Sequence, residues 1–169
     1  MTDLEETQVT PGVRRRPLRR WVGQLGYGLV SFPLNLVSAL LTLVGGLRTA
    51  AGWQCRLAGR TPRRASAPAL LAHVLATTPA VAVAFVLSGL STWVLGLNLA
   101  YPLRDFSWWD LTHVFSASHQ VADSWGGPTL AGAWAVHGLG AIAIAVVLSW
   151  PIGWLTDLHR RSVTRRLCG

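Results

Sequence analysis

The sequence predicts an all-α fold: a helical integral membrane protein with three long apolar helical segments and an outer loop of about 28 residues. Only 13% of its residues are charged, whereas soluble domains average about 25%. The charges are bunched, so residues 21–47, 65–103 and 130–156 contain no Asp, Glu, Lys or Arg. A bilayer core needs roughly 20 apolar residues as helix, so each run is long enough to enter the membrane and the last two to cross it.

Polar segments flank this apolar part and suggest three regions. Residues 1–20 combine three acidic residues with five arginines, a composition that cannot bury a core and predicts a disordered basic tail. Residues 21–161 are predicted to form a single membrane-embedded domain. Residues 162–169 are predicted to form a short basic cytoplasmic tail.

The first apolar run has two possible arrangements. Its 27 residues are too few for two full crossings, but arginines on both sides favour the cytoplasm for both ends. A shallow re-entrant hairpin broken near Pro33 and Asn35 would satisfy this, provided other helices covered its exposed backbone. The alternative is a plain crossing with the tail outside. The sequence favours the hairpin.

The other two runs are predicted to be crossing helices. Thr77 and Thr78 before Pro79 resemble a helix start, because a hydroxyl caps the first turn and proline fits its first position. Residues 78–99 would then cross the bilayer, and residues 68–76 would form a separate approach segment. In the last helix a stripe recurs every four residues, through which a homo-oligomer could form: Ala133, His137, Ala141, Ala145 and Ser149. His137 is its one titratable member, with Thr92 as its expected hydrogen-bond partner.

The net charge of +8 comes entirely from arginine. Most arginines flank the apolar runs, which is typical of positive-inside anchors that meet a lipid bilayer. We therefore expect residues 101–128 outside, residues 48–64 and 160–166 in the cytoplasm of a multi-pass cell-membrane protein, and no binding to nucleic acid. The arginines behind this prediction are Arg14, Arg15, Arg16, Arg19, Arg20, Arg48, Arg56, Arg60, Arg63, Arg64, Arg160, Arg161, Arg165 and Arg166.

No residue pattern indicates an enzyme. Cys55 and Cys168 lack metal-ligand spacing and are expected to be free thiols. The outer loop contains several carboxylates and imidazoles that could form i, i+3 or i, i+4 pairs, but they are interpreted as solvated loop residues: Asp105, Asp110, His113, His119 and Asp123. We expect no catalytic residue, no cofactor and no metal.

The outer loop also carries a resemblance to a known family. Tyr101, Pro102, Leu103 and Arg104, followed by Trp125, Gly126, Gly127, Pro128 and Thr129, resemble the sensor domain of actinobacterial membrane sensor histidine kinases. Leu25, Gly26 and Tyr27, with proline six residues on, are similar too. The resemblance implies a membrane-embedded input module of a two-component system, usually with paired helices in each half and a cytoplasmic kinase.

The chain departs from that family pattern. Its first half is one helix short, and thirteen residues follow position 156, too few for a kinase domain. The expected function is a sensory or regulatory module that passes an envelope or bilayer signal to a separate histidine kinase or other signalling protein. A small transporter or channel subunit and a structural membrane anchor are the alternatives. The candidate signal-input or coupling residues are Tyr101, Arg104, Trp125, Gly126, Gly127, Pro128, His137 and Asp157.

Overall fold

The computed structural model describes residues 17–63, 65–100, 114–117 and 122–168, and this part of the chain forms four α-helices without a strand. The helices are α1 (Pro17–Leu43), α2 (Leu47–Leu57), α3 (Ala67–Leu99) and α4 (Leu130–Leu167). Three of them, α1, α3 and α4, are long and apolar enough to cross a membrane. The predicted all-α, multi-pass membrane architecture is confirmed.

Helix α1 corrects the predicted hairpin. It continues through Pro33 and Asn35 for 27 residues, about 40 Å of helix. An interior proline removes one backbone hydrogen bond without ending a membrane helix when its neighbours compensate. The hairpin prediction is therefore wrong. If α1 crosses the membrane, its start at Pro17 lies on the opposite side from α2.

Helix α3 begins earlier than predicted. Ser66 caps it by accepting a hydrogen bond from Ala69 N at 3.4 Å, and Pro79 lies inside the helix. The predicted start at Thr77 and Thr78 is wrong because both hydroxyls serve the preceding turn. They donate to the backbone carbonyls of His73 and Val74, at 2.9 and 2.7 Å, a bond that a residue inside a helix can make. Residues 68–76 are thus part of α3.

Helix α4 begins where the sequence predicts, after Thr129, whose hydroxyl accepts from Gly132 N at 3.1 Å. It runs for 38 residues, about 57 Å, and therefore includes most of the segment 162–169. Its side chains Val163 and Leu167 are buried against α2 and α3 rather than projecting as a tail. Within the small-residue stripe, Ala133, Ala141 and Ala145 are buried, and α4 packs mainly along α3.

The three long helices alternate in direction. Gln24 lies beside Gly153 and Tyr27 beside His159, so α1 and α4 run the same way. Gly28 lies against Ser88, and Asn35 against Thr77, so α3 runs the opposite way. We call the end of the bundle that holds α2 and the end of α4 the basic end, and the other the loop end.

The packing is polar inside and apolar outside. Hydroxyl and amide side chains of α1 and α3 are buried between the helices: Ser31, Asn35, Ser38, Thr42, Thr77, Ser88 and Ser91. Large apolar side chains of the same helices are exposed, among them Leu36, Leu40, Val83, Val86 and Leu90. Apolar side chains gain no hydrophobic free energy by leaving lipid, because lipid tails are as apolar as leucine. Polar side chains are instead stabilised when they face one another between the helices.

Candidate functional site

A buried polar network joins the helices near the basic end. Its first branch connects α1, α3 and α4 through two histidines. Tyr27 Oη and His159 Nδ1 are 2.8 Å apart in a hydrogen bond, and His73 Nδ1 is bonded to Ser162 Oγ at 3.1 Å. The two imidazole rings lie 5.4 Å apart, centroid to centroid. Side chains of α1 and α3 thus share one cluster with the arginine-rich part of α4.

The side chain of Arg160 lies over the Tyr27 ring of this cluster. The Arg160 guanidinium carbon lies 4.2 Å from the centroid of the Tyr27 ring, within the range of a cation–π contact. His73 and His159 are fully buried, and the Nε2 atom of each has no hydrogen-bond partner among the described residues. Two imidazole ligands are fewer than zinc takes from protein, and the described residues contain no group of three or more His, Cys, Asp or Glu that could hold a metal. The hydrogen bonds of this cluster connect α1 with α4 and α3 with α4.

The second branch of the network brings in α2. Asn35 Nδ2 donates to Thr77 Oγ1 at 3.0 Å, and Gln54 Nε2 donates to Asn35 Oδ1 at 2.8 Å. The same Gln54 amide lies 3.2 Å from Ser38 Oγ. Thr77 in turn donates to the His73 carbonyl, so both branches meet at one turn of α3. All four helices are therefore held by side chains that carry hydrogen bonds inside an apolar structure.

A disulfide at the same end corrects the expectation of free thiols. Cys55 of α2 and Cys168 after α4 are bonded, with their Cα atoms 5.8 Å apart and a sequence separation of 113. Arg63 N also donates to Leu167 O at 3.1 Å. The two cysteines are far apart in sequence but are both buried in the core around Leu70. Sequence spacing alone therefore could not pair them.

Sequence reasoning missed most of this network, although a signal was present. Polar residues of α1 recur at helical spacing: Ser31, Asn35, Ser38 and Thr42. A polar stripe on an otherwise apolar helix indicates a face that packs inside a bundle. His73 and His159 are also ionisable groups within candidate spans, and such groups are candidates for function.

The loop motif that carries the family resemblance caps α4. Gly126 and Gly127 have φ angles of +117° and +89°, which favour glycine. A Cβ at Gly126 would collide with the Gly132 carbonyl. Ser124 Oγ donates to Gly127 O at 2.9 Å, while Trp125 and Pro128 are exposed. These residues shape the start of α4, and Tyr101 and Arg104 lie outside the described residues.

The remaining predicted site residues lie along α4, away from one another. His137 Nδ1 donates to Ala133 O at 2.8 Å, and the Thr92 hydroxyl donates to Ser88 O at 2.8 Å. Each of these bonds stays within its own helix, unlike the expected bond between the two side chains. Asp157 is half-buried on α4, two residues before His159. Asp157 is therefore beside the polar network, whereas His137 is closer to the loop end.

Comparison with known proteins found no matching family model, no matching curated protein and no matching solved structure. The sensor-domain resemblance therefore stays a prediction that rests on the loop residues.

Proposed function

We propose that this chain is a sensory or regulatory module of the cell membrane, which passes an envelope or bilayer signal to a separate signalling partner through α4. The observation that carries the proposal is the continuity of α4. This helix begins at the Gly126 turn of the loop end and ends in the core with Cys168. It holds His159 of the polar network on the way.

The polar network supplies the element that a signal can bias. Hydrogen bonds between side chains are either formed or broken, so a small shift of α4 against α1 would break the Tyr27–His159 bond. Such a shift informs a partner only if the two arrangements bind it with different affinity. Asp157 and Arg160 flank His159 on α4, so a change at His159 alters the charges that α4 presents.

The charge distribution supports an orientation with the basic end in the cytoplasm. In the sequence, residues 47–66 and 157–169 contain nine arginines and one carboxylate, whereas residues 1–20 and 100–129 contain six of each. Positive charge is retained on the cytoplasmic side. Disulfides are rare there, but Cys55 and Cys168 are buried, at 0% and 7% exposure, which limits access for a reducing thiol.

The proposed partner is a histidine kinase or another signalling protein with an acidic docking surface. Arg161 and Arg165 are exposed near the end of α4, and Arg165 Nε donates to Arg161 O at 3.3 Å. Removing residues 162–169 is a poor test, because Val163, Leu167 and Cys168 belong to the core. Substitution of exposed arginines leaves that core intact.

The test compares two double variants in native membranes by crosslinking and co-purification. Arg161→Gln with Arg165→Gln should lose the partner, whereas Arg19→Gln with Arg20→Gln, at the loop end, should keep it. Tyr27→Phe should keep the partner but change its output in a reporter assay, because it alters the network and no exposed charge. Absence of any specific partner for the full chain would contradict the proposal.

The rival function, a small transporter or channel subunit, has one observation in its favour. More polar side chains converge inside the bundle than the sequence suggested, including Gln54, His73 and His159. A transporter predicts solute flux in vesicles that contain only the purified chain. Flux abolished by His159→Gln, with no partner found, would favour this rival over the sensory module.

A further inference from the structure

An open pocket of about 700 Å³ lies at the basic end, between the start of α2 and the segment that leads into α3. Two arginines, Arg48 and Arg63, stand in its wall, and its other lining residues are apolar: Leu47, Ala51, Pro62 and Ala65. The combination of two guanidinium groups with an apolar lining is suited to a ligand that has an anionic head and a hydrocarbon body.

The charges in this pocket are not neutralised by the described residues. Asp157 is the one carboxylate that the structure describes at the basic end, and it is not among the lining residues. Arg48 and Arg63 are both exposed, so their guanidinium groups are available to an incoming anion. The N-terminus of α2 adds to the positive potential, since Gly46 offers no side-chain cap to its first amides.

The pocket is also at the right place to meet lipid. Helix α2 begins four residues after α1 ends, and Ala65 precedes α3 by two residues. Leu43 and Val44 precede the lining residue Leu47 in sequence and are 70% and 80% exposed. Apolar side chains this exposed, at the end of a candidate membrane span, are expected to contact hydrocarbon. A ligand that reached from the arginines to these side chains would be amphipathic.

We propose that the Arg48–Arg63 pocket is a binding site for the phosphate headgroup of an anionic phospholipid, whose acyl chains lie along the end of α1. The site is independent of the signalling partner, because it uses different arginines from those of α4. Its wall is nonetheless fastened to α4 through the Arg63 N to Leu167 O hydrogen bond and the pairing of Pro62 with Cys168. Lipid bound here would hold the end of α4 against α2.

The test measures retention of phosphatidylglycerol by the full chain in mixed micelles with phosphatidylcholine, using native mass spectrometry. Arg48→Gln with Arg63→Gln should weaken phosphatidylglycerol binding roughly 20- to 30-fold, at about 1 kcal/mol per arginine and 1.4 kcal/mol per tenfold change. Arg161→Gln with Arg165→Gln removes the same charge from the same end. This matched control should weaken binding clearly less than the pocket variant does, because neither Arg161 nor Arg165 lines the pocket.

Three outcomes would overturn the site. Equal losses in the two double variants would mean that lipid follows overall charge and not the pocket. Equal retention of phosphatidylcholine and phosphatidylglycerol would mean that no anionic headgroup is selected. Displacement of the lipid by millimolar inorganic phosphate, with no dependence on acyl chains, would identify a free-phosphate site instead. Absence of any specific partner for the full chain, with normal lipid selectivity, would leave this inference standing and contradict only the proposed function.

Discussion

Tyr27 Oη and His159 Nδ1 lie 2.8 Å apart, although 132 positions separate the two residues in sequence. The bond joins the first membrane helix to the last, and both side chains are buried, at 4% and 0% exposure. His159 also stands 5.4 Å from the His73 ring of α3. One side chain of α4 is therefore in contact with both other long helices, so its environment depends on how all three are placed.

Tyr27→Phe should destabilise the bundle by about 0.6 to 2 kcal/mol, the usual range for a hydrogen bond between membrane helices. The substitution leaves His159 Nδ1 without its partner and leaves the ring contact in place. Thermal unfolding in detergent measures the effect, and combining it with His159→Phe should give a clearly non-additive change. Ser149→Ala is the matched control, because that hydroxyl donates within α4, to Val146 O. Additive effects at positions 27 and 159 would contradict the bond.

Asn35→Ala should cost more than Asn98→Ala, although both remove an amide from an apolar helix. Asn35 bonds Thr77 of α3 and Gln54 of α2, whereas Asn98 Nδ2 donates to Val94 O in its own helix. A buried polar group that loses its partner costs about 1–3 kcal/mol. The same unfolding assay should therefore show a gap of at least about 1 kcal/mol between the variants, on that scale. Equal losses would mean that the second branch adds no tertiary stability.

The general architecture could be predicted from the sequence because the lipid environment restricts it. Uncharged runs long enough to span a bilayer must form helices, and α4 begins at Leu130, where the last predicted apolar run, 130–156, begins. The interior prolines misled the prediction. Pro33 and Pro79 looked like breaks, but in a membrane bundle a proline can remain inside a helix. The helix boundaries of α1 and α3 depend on tertiary packing that local residues do not encode.

The candidate site was harder to predict because its members are distant in sequence. Gln54 lies in a short, arginine-containing segment that the sequence predicts to be a cytoplasmic loop. The residues around Gln54 in sequence do not indicate that its amide bonds Asn35. Cys55 and Cys168 likewise come together only once α2 is folded against the end of α4. In contrast, the sequence singles out Gly126 and Gly127 as candidate signal-input or coupling residues, which stays a prediction, and their positive φ angles show that they form the turn before α4.

Gly126→Ala should weaken the start of α4, because the new Cβ would meet the Gly132 carbonyl at a φ of +117°. A left-handed conformation costs roughly 1–2 kcal/mol for a residue with a side chain, and the collision adds to it. Gly140→Ala is the matched control: it lies inside α4, and no atom of the described residues is within 4 Å of an added Cβ. That variant should be neutral or stabilised, since alanine favours a helix over glycine by about 1 kcal/mol. Hydrogen exchange over residues 129–140 distinguishes the two, and faster exchange in Gly140→Ala alone would contradict this account.

The Cys55–Cys168 bond should hold the chain together after cleavage between α3 and α4. With a protease site inserted between residues 117 and 122, the cut chain should run at full length on a denaturing gel and separate into two fragments after reduction. Cys168→Ser should separate without reductant. It should also lower the free energy of unfolding by about 2–5 kcal/mol, the range for losing a bond that closes a long loop. Separation of the unreduced wild-type chain would contradict the pairing.

The continuous α1 helix and the distribution of arginines together predict the membrane topology. Because α1 is one continuous helix, residues 1–16 should share a side with the loop between α3 and α4, and the basic end should face the cytoplasm. Single cysteines at Thr10 and Trp125, in a variant with Cys55 and Cys168 replaced by serine, should react with an impermeant thiol reagent in intact cells. A cysteine at Thr61 should react only after permeabilisation.

A fluorescent-protein fusion after Gly169 provides the control that leaves the disulfide intact, since it should fold and fluoresce only on the cytoplasmic side. Labelling at Thr10 and Thr61 on the same side would mean that α1 does not cross, because the two positions flank that helix and α2. Labelling at Thr61 and Trp125 on the same side would exclude a crossing by α3. If all three assignments are inverted together, α1, α3 and α4 still cross, but the nine arginines of the basic end face outward. In that case the disulfide, and not the charge distribution, indicates the compartment.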